Sequence, residues 1–143
     1  MFPPTTRILI VDDSPTARQI IVGILRSIGL NRFDQASDGK EAADLLMAAN
    51  AAGDDYGLGI FDWKMPIMDG LQLIKFVRIS SQNPQMPVLM MTAEGDTESI
   101  FSAVKAGVDG YVLKPINAGT LLEKLQAISA RRASQHAALT PLS

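Results

Sequence analysis

No cysteine occurs among the 143 residues, so disulfides and thiolate metal sites are excluded, and the composition is consistent with a reducing compartment. Histidine is almost as scarce, with His136 the only one. There is no excess of positive charge: 13 Lys and Arg face 15 Asp and Glu, a formal net charge of −2, which leaves no field to draw the chain to nucleic acid or anionic lipid. Long hydrophobic runs are also missing. The opening "MFPPTTRILIVDD" sets prolines before a short apolar run that two aspartates stop, so neither a signal peptide nor membrane insertion is expected and the chain reads as cytosolic. No repeat, low-complexity tract or linker breaks it up. With 47% apolar residues, positions 1–143 fit one domain with its core at about 6–131, and only "SQHAALTPLS" (134–143) looks too polar and irregular to pack.

What is present alternates. "RILIV" (7–11) reads as a strand, and Ser14 and Pro15 suit the cap and first position of a helix whose stripe is Ala17, Ile20, Ile21, Ile24, Leu25 and Ile28, ended by Gly29. A weak strand at 33–36 precedes a helix opened by a capping-box pair, Asp38 and Glu41. A strand at 58–62 follows, then a helix from Asp69 and Gln72 carrying Leu73, Ile74 and Val77. "PVLMMT" (87–92), a helix at about 95–106, "GYVLK" (110–114) and a last helix from about Ala118 past Leu121, Leu125 and Ile128 complete the series. Five strands, the strong ones apolar throughout, alternate with five amphipathic helices and imply a doubly wound five-stranded parallel α/β sheet of the flavodoxin-like, (βα)5 type, covered on both faces.

In such sheets ligands bind beyond the carboxyl ends of the strands, and here those ends are polar. The first finishes in Asp12 and Asp13, the third in Asp62, the fourth in Thr92 and the fifth in Lys114. Carboxylates that close repel by roughly 4 kcal/mol per pair at 4 Å and an effective dielectric near 20, so a positive charge should sit among them. Oxygen ligands without histidine or cysteine suit Mg²⁺, which is usually held by one or two carboxylates plus a phosphate oxygen. Thr92 offers a hydroxyl donor and Lys114 an ammonium for the remaining phosphoryl oxygens, which leaves Asp62 as the oxygen nucleophile.

"VDDS", "DWKMPIMDG", "MTAE" and "GYVLKP", in this order, resemble the receiver domains of two-component response regulators, most closely the stand-alone receivers of chemotaxis, over about residues 6 to 131. The resemblance implies that Asp62 accepts a phosphoryl group from a sensor histidine kinase. It implies that Asp13 and Asp62 ligate Mg²⁺ with the Lys64 main-chain carbonyl, Asp12 acting through a water. Thr92 and Lys114, with the backbone N–H groups of Trp63 and Ala93, would contact the phosphoryl group. Thr92 and Tyr111 would form the switch, and Lys64 and Glu94 would flank the path of the hydrolytic water. The output face would be Ile100, Val104, Tyr111, Leu113 and Lys124. The family also implies intrinsic autophosphorylation and autodephosphorylation rather than enzyme turnover, a monomer, and sometimes a separate phosphatase. His136 lies in the tail, so the phosphodonor is expected to come from elsewhere.

With no DNA-reading helix or catalytic motif after the receiver, the expected output is a protein contact, in chemotaxis the flagellar motor switch. "EGDTES" places Gly95, Asp96 and Thr97 where chemotaxis receivers tend to carry lysines, which keeps open a phosphate sink, a phosphorelay shuttle or a regulator of another partner. An aspartate-nucleophile phosphatase would need a second acid two positions after Asp62, where Lys64 stands. A flavin module would need a phosphate cradle where "VDDSPT" carries two carboxylates. Arg131 and Arg132 in "ARRASQ" are candidates for a nucleotide or lipid headgroup, against the plainer reading of solvated residues that favour the helix dipole.

Overall fold

The computed structural model describes residues 1–93 and 97–139, with side chains through Ser134. Five strands, β1 (Arg7–Val11), β2 (Arg32–Ala36), β3 (Leu58–Asp62), β4 (Val88–Ala93) and β5 (Gly110–Lys114), pair in parallel in the order β2-β1-β3-β4-β5. Helices α1 (Pro15–Arg26), α2 (Gly39–Ala51), α3 (Gly70–Lys75), α4 (Thr97–Ala106) and α5 (Ala118–Leu139) connect and cover them, and a π-helical turn, Phe76–Ser80, continues α3.

Strand position explains strand composition. Central β3 is buried at all five positions, whereas β2, at the sheet edge, carries Arg32, Asp34 and Gln35 and buries only Ala36 fully. That is why β2 gives the weakest sequence signal. The period of two sends Leu9, Val11, Phe61 and Met90 into one core with α2, α3 and α4, and Ile8, Ile10, Ile60 and Leu89 into the other with α1 and α5. The register sets Val11 beside Phe61 and Asp62 beside Met91, so the strand ends line up. Strand order reverses between β1 and β3, and their carboxyl ends border the crevice.

Several local expectations change. Ser14 caps α1 through Ala17 N–H and Pro15 is its first residue, but Ile20 is half exposed and Val22 is buried instead. "QIIVGIL" is apolar around most of the helix, so the sheet and not the period decides which residues go in. Asp38 accepts Glu41 N–H, yet Glu41 reaches Ser37 rather than completing a box; among the described residues the reciprocal capping box is at Asp69 and Gln72. Helix α5 runs on to Leu139, into the segment expected to be irregular, because its Ala, Arg, Gln and Leu residues all favour helix.

Candidate functional site

The carboxyl edge of the sheet gathers the predicted residues. Asp12 and Asp62 are buried, Asp13 is exposed, and one oxygen from each lies within 4.8 Å of the others. Asp12 is held on both sides: its Oδ1 accepts the Ser14 N–H at 2.9 Å, and its Oδ2 lies 2.9 Å from Lys114 Nζ. Lys114 reaches across to Asp62 Oδ1 at 3.1 Å. The peptide bond from Lys114 to Pro115 is cis. Thr92 is buried and its Oγ1 has no hydrogen-bond partner among the described residues. An open cleft of about 250 Å³ is lined by Asp13, Asp62, Trp63, Lys64, Thr92, Ala93 and Lys114.

The electrostatics follow from this crowding. Burial, and then the Asp12 carboxylate, push Asp62 up from 3.8 to about 6, although Lys114 opposes the rise. Burial alone would lower Lys114, but its hydrogen bonds to Asp12 and Asp62 outweigh that and raise it, so the ammonium persists. The site combines a partly desolvated nucleophile, a fixed cation, an unsatisfied hydroxyl and an all-oxygen acidic cluster. That donor set, without nitrogen or sulfur, fits a hard divalent cation such as Mg²⁺.

The segment after Asp62 is folded back tightly. Gly70 N–H donates to the Trp63 carbonyl at 2.8 Å, and a Cβ on Gly70 would lie 2.3 Å from the Asp62 carbonyl oxygen, so only glycine permits this approach. Ile67 sits at φ +70° in a three-residue turn closed by Met68 N–H on the Pro66 carbonyl at 2.7 Å. The Gly39 N–H donates to the Met68 carbonyl at 2.9 Å and ties the loop to α2.

One expected contact is corrected. The Trp63 N–H donates to the Met91 carbonyl at 2.9 Å as part of the pairing of β3 with β4, so it is not available to a ligand. Ala93 lines the cleft, and Glu94, Gly95 and Asp96 lie outside the described residues. On the expected output face, Val104 and Leu113 are exposed, Ile100 and Tyr111 half-buried, and Lys124 Nζ lies 5.1 Å from the centre of the Tyr111 ring. Arg131 and Arg132 are not free: Arg132 binds Asp109 through two nitrogens at 2.7 and 2.9 Å, and Arg131 donates to the Asp109 carbonyl. Arg18 went unnoticed in the sequence. It donates to the Asp12 main-chain carbonyl and to Gln35, fixing the backbone at the end of β1 from one turn into α1, where helical spacing from Ser14 was the only clue. No described helix is long and apolar enough to cross a membrane.

A family model described as the response regulator receiver domain matches residues 8–126. The chain is 42% identical over 125 residues to chemotaxis protein CheY-3 of Vibrio cholerae, covering 87% of this chain and 92% of that one. It is 41% identical over 125 residues to the chemotaxis protein CheY of Pseudomonas aeruginosa, covering 87% and 97%. Among solved structures, Vibrio cholerae CheY4 superposes with a TM-score of 0.73 at 35% identity, over 86% of this chain and 98% of that one.

Proposed function

We infer the function from one premise: this chain belongs to the response regulator receiver domain family. It is a signalling switch and not a typical enzyme. Asp62 accepts the phosphoryl group of a kinase phosphohistidine: an Asp62 oxygen bonds to phosphorus, the P–N bond breaks, and the imidazole nitrogen leaves with the electron pair. The observation that carries this reading is Thr92 Oγ1, a buried hydroxyl without a partner among the described residues, in a residue that lines the same cleft as Asp62 and Lys114. An unsatisfied buried donor costs about 1–3 kcal/mol, and an incoming phosphoryl oxygen would satisfy it. With its carboxyl near 6, Asp62 is mostly ionised at pH 7 and able to attack.

Asp13, Asp62 and the Lys64 carbonyl would hold Mg²⁺, with Asp12 acting through a water. When bound, the ion supplies charge neutralisation at the transferring phosphoryl oxygens. Lys114, already between Asp12 and Asp62, shifts to a phosphoryl oxygen, and Thr92 follows it with its hydroxyl. Tyr111 then moves inward over the space Thr92 vacates. That biases the face formed by α4, β5 and α5, including Ile100, Val104, Leu113 and Lys124, toward partner binding. The chemotaxis names of relatives matched over nearly their whole length favour a chemotaxis regulator whose output is the flagellar motor switch.

Incubation with acetyl phosphate and Mg²⁺ should add one phosphoryl group to the intact mass of the wild type and none to Asp62→Asn. Full labelling of the variant would place the acceptor elsewhere. Pull-down of a motor-switch protein only by the phosphorylated form would support the chemotaxis output, and equal capture of both forms would remove it.

A further inference from the structure

Away from the carboxylate edge, α3, its π-helical extension and α4 border an open groove of about 570 Å³ whose lining includes Leu71, Ile79 and Ala106 together with Lys75, Arg78 and Lys105. Ile79 is 81% exposed, and Phe101, one turn before Lys105 on the outer side of α4, is 70% exposed. Single exposed apolar residues are ordinary, but two large ones beside one groove form a patch of the kind that marks contact sites. Ile79 and Arg78 stand on the π-helical turn Phe76–Ser80, an uncommon conformation that is found often at functional sites.

The charges point to a class of partner. Lys75 on one wall and Lys105 on the other have no ion-pair partner among the described residues. Arg78 forms the end of the groove, where its guanidinium donates to the Gly107, Pro84 and Met86 carbonyls and to Asp109. Behind it Arg131 and Arg132 converge on the same Asp109. Among the described residues, five cations thus stand with one carboxylate, Asp109, at this end of a chain whose net charge is −2. The rest of the surface repels polyanions, so a nucleic-acid backbone is a poor match, whereas a short acidic segment with apolar anchors complements both properties of the groove.

We propose that the groove between α3 and α4 docks an acidic amphipathic segment of a partner protein, its apolar side chains against Leu71, Ile79 and Ala106 and its carboxylates on Lys75 and Lys105. This surface lies on the opposite flank of α4 from Ile100 and Val104. Asp62 is not among the residues that line it, so binding does not require Asp62.

A displayed library of random peptides, selected on the unphosphorylated wild type, tests it. The enriched peptides should combine Asp or Glu with apolar residues. Synthesised with fluorescein, they should bind at least about tenfold more weakly to Lys75→Glu/Lys105→Glu, more weakly to Ile79→Ser, and equally to Lys124→Glu and Asp62→Asn. Affinity should fall as salt is raised, because the paired lysines are exposed. Amide shifts on binding should map to α3, the π-helical turn and α4. Circular dichroism and retained labelling by acetyl phosphate check that each groove variant is folded, and Ile79→Ser stands alone if the double variant is not. An empty selection, peptides without acidic bias, shifts confined to β5 and α5, or self-association of the chain that the charge reversal abolishes would each overturn the proposal.

Discussion

Asp62 and its neighbours set the residue-scale behaviour. The carboxyl is raised from 3.8 to about 6, chiefly by burial, which means the fold disfavours its charge. An acid whose folded value lies above its unfolded value carries no penalty below about pH 3.8 and accumulates one as pH climbs through 6, here about 3 kcal/mol if the full shift is realised. Replacing it with Asn removes the penalty. Metal-free Asp62→Asn should therefore be more stable than wild type at pH 8 by up to about that amount, and no more stable at pH 3.5; urea melts at the two pH values decide, and an equal gain at both would mean titration is not the cause. Lys64 lines the mouth of the same cleft with its side chain exposed. Shortening it in Lys64→Asn leaves the main-chain carbonyl for the metal and widens the approach for water, so autodephosphorylation should speed up several-fold, where tenfold is about 1.4 kcal/mol of barrier. Decay of radiolabelled phosphoprotein at equal Mg²⁺ measures it, and equal or slower decay would remove Lys64 as a gate.

At the scale of elements, the segment between β3 and α3 holds the site in place through a strained turn. Ile67 is β-branched, 78% exposed and left-handed at φ +70°, a combination with steric strain of order 1–3 kcal/mol and little burial in return. Ile67→Gly should stabilise the protein by about 1 kcal/mol after the extra freedom of glycine in the unfolded chain is subtracted, and a lower denaturation midpoint would show that Ile67 makes contacts worth more than its strain. None of this turn was legible in "KMPIMDG", whose residue types announce a tight loop but not its dihedral angles. Strands β1, β3 and β4 were legible because buried parallel strands are apolar without interruption; β5, the other edge strand, was legible from its Tyr111–Leu113 run although only Val112 is buried, and β2 only weakly because Arg32, Asp34 and Gln35 interrupt it. The residue types of the site were readable from the polar strand ends. The engagement of Trp63 N–H by Met91 was not, since a backbone hydrogen bond depends on the pairing register. Nor was the π-helical turn after Lys75, or the clamp of Arg131 and Arg132 on Asp109, which needs the end of α5 brought to the start of β5.

For the whole molecule, the same carboxylates that make the edge reactive weaken the fold that presents them. Asp12, Asp13 and Asp62 converge within 4.8 Å, and among the described residues Lys114 is the cation seen to pair with them, so three carboxylates outnumber that ammonium at the open edge of the sheet. Two changes relieve that repulsion: a bound Mg²⁺, or loss of one carboxylate. A ligand at a hundred times its dissociation constant stabilises the native state by about 2.7 kcal/mol. If both changes act on one cluster, they cannot add: Asp62→Asn should raise the metal-free stability at pH 8 yet shrink the Mg²⁺ increment well below that of wild type. Urea melts of wild type and variant, each with EDTA and with Mg²⁺, give the four values. Trp63, which lines the cleft, reports the ion independently, and its fluorescence should respond to Mg²⁺ in the wild type but not in Asp13→Ala. Equal Mg²⁺ increments in wild type and Asp62→Asn, together with an unaltered Trp63 titration in Asp13→Ala, would put the ion away from the strand ends and separate the acidic cluster from metal binding.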